Sequence, residues 1–93
     1  MSKINVKTKK EFTISLDASP TTGYTWEARF DETMLQLKEK MFEPHSSAIG
    51  GGGIETFTFI PAREGETDII MHYKRPWEEK VVEEKKFQIF ITE

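Results

Sequence analysis

The sequence predicts an all-β domain, an antiparallel sandwich of about seven short strands. Three observations predict it. Apolar and polar residues alternate with a period of two along most of the chain. Breaker clusters interrupt that alternation at intervals of roughly 8–12 residues, as in sandwich folds. Seven Phe, two Trp and two Tyr give a chain of 93 residues the bulk for a β-type core. Length and pattern together match one immunoglobulin-like unit, so residues 1–93 read as a single domain.

Each element follows from its own alternation. Ile4 and Val6 suggest a short opening strand. In residues 10–17, Phe12, Ile14 and Leu16 alternate with Thr13, Ser15 and Asp17. In residues 24–30, Tyr24, Trp26, Ala28 and Phe30 alternate with Thr25, Glu27 and Arg29. Phe57 and Phe59 share one face of residues 56–60; Ile69, Met71 and Tyr73 share one face of residues 67–73. The last strand, 86–92, carries Phe87, Ile89 and Ile91. One apolar and one polar face per segment is the mark of half-buried antiparallel strands. Residues 31–43 are ambiguous. Asp31 suits a helix cap, and Met34, Leu35 and Met41 fit a helical stripe, while Leu35 and Leu37 fit strand alternation equally well. The all-β context favours a strand, with a short turn of helix at 31–33. Trp26 reads as core; Tyr24 suits either core or contact.

Composition removes several function classes. Thirteen Lys and Arg against sixteen Asp and Glu give a net charge of −3, and the basic residues are spread along the chain. A nucleic-acid face needs a concentrated basic footprint. The absence of cysteine excludes disulfides, thiolate metal sites and a cysteine nucleophile. Folding without disulfides suits a reducing compartment. Residues 1–12 hold no apolar stretch long enough for a signal-peptide core, and no run approaches a membrane span. A cytoplasmic location and no membrane association are therefore expected, with secretion or lysosomal delivery the alternative if a leader has been removed. His45 and His72 lie far apart without a third ligand, so no metal is expected. No nucleophile, base and orienter come together in the pattern, so the chain reads as a non-enzyme without cofactors. Glu78, Glu79, Glu83 and Glu84 with Lys80, Lys85 and Lys86 read as a solvated hairpin.

Strand parity brings the least ordinary segments together. If successive strands alternate in direction, the second-to-third, fourth-to-fifth and sixth-to-seventh connections emerge at one end. The first of these loops holds Ser19, Pro20, Thr21, Thr22, Gly23 and Tyr24. Pro20 restrains its own φ and the shape of Ser19, and Gly23 permits a turn closed to other residues. The second holds Gly50, Gly51, Gly52 and Gly53, bare backbone that can approach another chain. A phosphate cradle is disfavoured there, because no Gly-Lys-Ser or Gly-Lys-Thr follows and Glu55 would repel an anion. The third carries Arg75, Pro76 and Trp77. Arg and Trp are enriched in binding hot spots. Each loop taken alone also suits a plain strand connection, and Trp77 could simply cover the sandwich end.

Together, SPTTGYTW, GGGG and RPW resemble, over about Phe12 to Ile91, the chagasin-type inhibitors of papain-family cysteine peptidases. That family's pattern is Asn-Pro-Thr-Thr-Gly followed by an aromatic and then Trp, then Gly-x-Gly-Gly, then Arg-Pro with Trp or Phe. The resemblance implies a reversible, tight-binding inhibitor of papain-type, cathepsin L-like peptidases that is monomeric when free. It implies that Thr21 and Thr22 sit over the enzyme's catalytic cysteine and histidine. The glycine loop would flank them toward the unprimed subsites, and Arg75 and Trp77 would lie on the other side. Ser19 stands where the family commonly has Asn, which replaces or removes any amide bracing of that loop. The opening strand also looks shorter than usual. The competing reading is an immunoglobulin-like binding or adhesion module that turns the same loop end to a non-peptidase partner.

Overall fold

In the computed structural model, which describes residues 2–19, 23–44 and 52–93, the alternating segments become seven strands. They are β1 (Ser2–Lys7), β2 (Phe12–Ala18), β3 (Thr25–Phe30), β4 (Leu35–Pro44), β5 (Gly53–Pro61), β6 (Gly65–Lys74) and β7 (Glu83–Thr92). One sheet has the order β1-β7-β6-β3 and the other β2-β5-β4. Their inner faces supply the core. Val6, Trp26, Ile69, Met71, Ile89 and Ile91 come from the first sheet, and Ile14, Leu16, Leu35, Phe57 and Phe59 from the second. β5 alternates strictly between buried and half-buried positions along its whole length. A fully buried Phe or Ile contributes roughly 1.5–3 kcal/mol, so these side chains fix which face of each strand points inward.

Antiparallel pairing, as expected, holds between β2 and β5, β4 and β5, β3 and β6, and β6 and β7. β1 instead runs parallel to β7, with Ser2 opposite Phe87 and Lys7 opposite Thr92. It can do so because its hairpin partner in sequence, β2, belongs to the other sheet. At the crossover, the backbone N–H and the hydroxyl of Thr8 both donate to the Thr92 carbonyl, and the Lys9 N–H donates to the Pro61 carbonyl. The Lys9 backbone turns at φ 66° to make this passage.

The ambiguous segment is a turn followed by a strand. Both Met34 and Leu35 N–H donate to the Asp31 carbonyl, while the Asp31 carboxylate accepts from the Thr33 N–H at 2.8 Å and the Thr33 hydroxyl at 2.6 Å. In β4 the register slips between Leu37 and Glu39. Leu35 and Leu37 pair with the inward Pro61 and Phe59; after the slip Lys40, Phe42 and Pro44 pair with the inward Phe57, Glu55 and Gly53. A bulge therefore mixes the two periods in residues 31–43, since one extra residue shifts every later side chain to the other face.

The bonds from Thr33 and the charge of Arg63 hold the Asp31 carboxyl below its ordinary value of 3.8. A depressed folded-state pKa adds stability that is present above the unfolded value and lost as pH falls through the folded value. Asp31→Ala should thus lower the unfolding temperature near neutral pH. Thermal melts at a series of pH values should show its deficit shrinking once the pH drops below about 3.8. A deficit independent of pH would remove the carboxylate charge from the account.

The connections sort by parity as expected. At one end, Pro61 meets the β1–β2 turn and the Ala62 N–H donates to the Met34 carbonyl. The described ends of the other three connections, at Ser19 and Gly23, at Gly52 and at Arg75 to Glu78, meet at the opposite end.

Candidate functional site

An aromatic stack runs from the core to that end. Trp26 is buried in β3, and its indole N–H donates to the Asp17 carbonyl at 2.8 Å. The Tyr73 ring of β6 lies 4.8 Å from the Trp26 ring and 5.5 Å from Tyr24. The Arg75 guanidinium caps the column 4.7 Å from the Tyr24 ring centre. Each contact of this kind adds roughly 0.5–1.5 kcal/mol beyond burial, so the column stiffens the strand ends that carry the loops. The alternation of Tyr24 and Trp26 puts both rings on one face, which is why the column forms.

The described parts of the loops pack on one another in a row. The first loop begins at Ser19, whose N–H donates to the Tyr73 hydroxyl at 2.9 Å. It leaves through Gly23, at φ 86°, and the half-buried Tyr24. A methyl group built on Gly23 would lie 2.9 Å from Cη2 of Trp77 and 3.7 Å from Cγ of Arg75. Loops one and three are therefore in contact. On the other side, a methyl on Gly52 would lie 3.0 Å from the Ala18 carbonyl oxygen and 3.2 Å from Ser19 Oγ. Gly53 is buried where β4 and β5 close together, and a side chain there would run into the Glu43 carbonyl and the Phe42 ring. The order across the end is thus second loop, first loop, third loop. Pro20, Thr21, Thr22, Gly50 and Gly51 lie outside the described residues, as does His45.

The third loop is a turn in which the Glu78 N–H donates to the Arg75 carbonyl at 3.0 Å, with Pro76 and Trp77 at its centre. Pro76 presets the turn, and Arg75 Nη1 reaches Glu78 Oε1 at 3.5 Å across it. Trp77 is 72% exposed. It covers no core: one edge of its ring rests on Gly23 and the remainder faces outward. A large indole held on a rigid turn at this exposure is available for contact.

One residue of the site escaped the sequence reading. Glu55 is only 3% exposed. Its carboxylate accepts from the Trp26 N–H at 2.9 Å and from the Thr25 hydroxyl at 2.9 and 3.1 Å, and pairs with Lys40 Nζ at 3.3 Å. The available signal was parity: Glu55 stands two and four residues before Phe57 and Phe59, on the inward face. A charge there requires partners.

His72 pairs with Glu84 at 2.8 Å. Among the described residues no three His, Cys, Asp or Glu side chains are grouped so as to hold a metal ion.

Residues 5–91 match the family described as chagasin family peptidase inhibitor I42. The chain is 29% identical to chagasin of Trypanosoma cruzi over 84 residues, which is 84% of this chain and 76% of that protein. It is 34% identical to amoebiasin-2 of Entamoeba histolytica over 68 residues, 70% of this chain and 55% of that one. Its fold superposes on the crystal structure of the cysteine protease inhibitor EhICP2 of Entamoeba histolytica with a TM-score of 0.85 at 25% identity, covering 98% of this chain and 86% of that one. The solution structure of amebosin, 23% identical, shares the fold with a TM-score of 0.73 over 97% of this chain and 88% of its own.

Proposed function

Since this chain belongs to the chagasin family of peptidase inhibitors, and is an inhibitor of cysteine peptidases rather than an enzyme, we propose that it blocks papain-type, cathepsin L-like enzymes with its three-loop end. Thr21 and Thr22 enter the active-site cleft. Gly50, Gly51, Gly52 and Gly53 lie along one side of it, and Arg75, Pro76 and Trp77 along the other. Ser19, Pro20, Gly23 and Tyr24 shape the central loop between them. The observation that carries this reading is the outward-facing Trp77 indole, held on a proline turn and packed edge-on against the central loop.

Blocking of this kind needs no bond-making. An interface of standard size buries roughly 800 Å² on each partner, and a few anchors carry most of its energy. Loops restrained beforehand lose little entropy on docking, which favours tight and reversible binding by a free monomer.

The test is steady-state inhibition of papain and a cathepsin L-type enzyme, with a serine peptidase as control and a small active-site ligand as competitor. Reversible inhibition confined to the cysteine enzymes, and relieved by the competitor, is expected. Inhibition that the competitor fails to relieve would move the contact away from the cleft. No inhibition of either cysteine enzyme at micromolar concentration would turn the loop end over to a non-peptidase partner.

A further inference from the structure

We infer that Glu55 and Lys40 are positioning residues that together stand in for a missing strand beside β3 and hold the described limb of the first loop in place for docking. This rests on the proposal that the loop end is the contact surface.

β3 is one of the two edge strands of its sheet, and it begins directly after the first loop. Edge backbone groups ordinarily turn to water, and strand ends with few partners open readily. Here side chains of the opposite sheet take the backbone groups at Trp26. Its N–H donates to Glu55 Oε1 at 2.9 Å, and its carbonyl accepts from Lys40 Nζ at 3.1 Å. The neighbouring Thr25 hydroxyl donates to the same carboxylate and accepts from the same ammonium at 3.1 Å. Lys40 can reach this point because the β4 bulge turns it inward. Glu55 sits two residues past Gly53, so it ties the return of the second loop to the end of the first. At the first loop's start, the Tyr73 hydroxyl takes the Ser19 N–H. The central loop is thereby held at both limbs.

Glu55 is buried while Lys40 stays partly in solvent; such a pair is weak evidence for stability, and the better-attested use of a buried charge is to select one conformation. A loop released at one limb occupies its competent shape only part of the time, and its apparent affinity falls by that fraction.

The full chain is compared as wild type, Glu55→Gln, Thr25→Val and Thr25→Ser. Association and dissociation rates with papain are measured well below every unfolding midpoint, together with amide exchange at Trp26. Glu55→Gln should slow association about tenfold with little change in dissociation, and speed exchange at Trp26. Thr25→Val should move the same readouts in the same direction, and Thr25→Ser, which keeps the hydroxyl, should restore them. Lost global stability alone would leave both rates unchanged under these conditions. If Glu55→Gln fails to fold, the Thr25 pair decides. Folded Glu55→Gln and Thr25→Val that associate like wild type would overturn the inference while Trp77→Ala still weakens inhibition. If Trp77→Ala is silent as well, the loop-end reading has failed instead.

Discussion

Trp77→Ala should weaken inhibition of a papain-type peptidase by at least about tenfold and leave the unfolding temperature of the domain unchanged. Both halves follow from one number. At 72% exposure the indole adds little to the core, so truncation uncovers almost nothing. Most of its area is free to enter an interface instead. A buried tryptophan anchor typically contributes 2 kcal/mol or more, which corresponds to roughly thirtyfold in affinity. The turn should survive the change, because Pro76 and the bond from the Glu78 N–H to the Arg75 carbonyl do not involve the ring. Inhibition constants measured beside thermal melts separate binding from folding. An unchanged inhibition constant would take Trp77 out of the contact surface, whatever its exposure.

Gly23→Val should cost both stability and inhibition, and inhibition more. At φ 86° glycine is at ease, whereas a β-branched residue is a strained outlier. Left-handed backbone costs roughly 1–2 kcal/mol once a Cβ is present, and the second branch of valine adds to that. The new Cβ would also lie 2.9 Å from the Trp77 ring. That ring is exposed and can move aside, so the clash resolves by displacing the indole rather than by opening the core. One substitution then disturbs the central loop and dislodges the anchor of its neighbour. The loss of inhibition should equal or exceed that of Trp77→Ala, and Gly23→Ala should fall between valine and wild type. A Gly23→Val protein that melts lower but inhibits like wild type would mean that the two loops dock independently.

Much of this architecture is legible in the alternation of residues. The alternation at Ile14 and Leu16, at Phe57 and Phe59, and at Ile69 and Met71 marked inward positions that are indeed buried, with Phe12 half-buried against them. Trp26 read as core and is core. Direction parity alone gathered the Ser19–Tyr24, glycine and Arg75–Trp77 loops at one end, where Gly23, Tyr24, Gly52, Arg75 and Trp77 are found. The choice between a Trp77 that covers the sandwich end and one that faces outward could not be made from residue types. The turn geometry makes it, by resting one ring edge on Gly23.

Outside residues 31–43, the order of residues was enough to place the strands, their inward faces and the end at which the unusual loops gather. It could do so because side-chain alternation is local to a pleated strand, and direction follows from counting strands. Tertiary packing alone set β1 beside β7, whose shared direction the strand count already implies, slipped β4 by one register at its bulge, and brought Glu55 and Lys40 to the Trp26 backbone. Each of those depends on residues far apart in the chain: Trp26 and Glu55 are 29 positions from one another. Local alternation can say that Glu55 points inward, but only the packing of one sheet on the other supplies the unpaired strand edge that its charge satisfies.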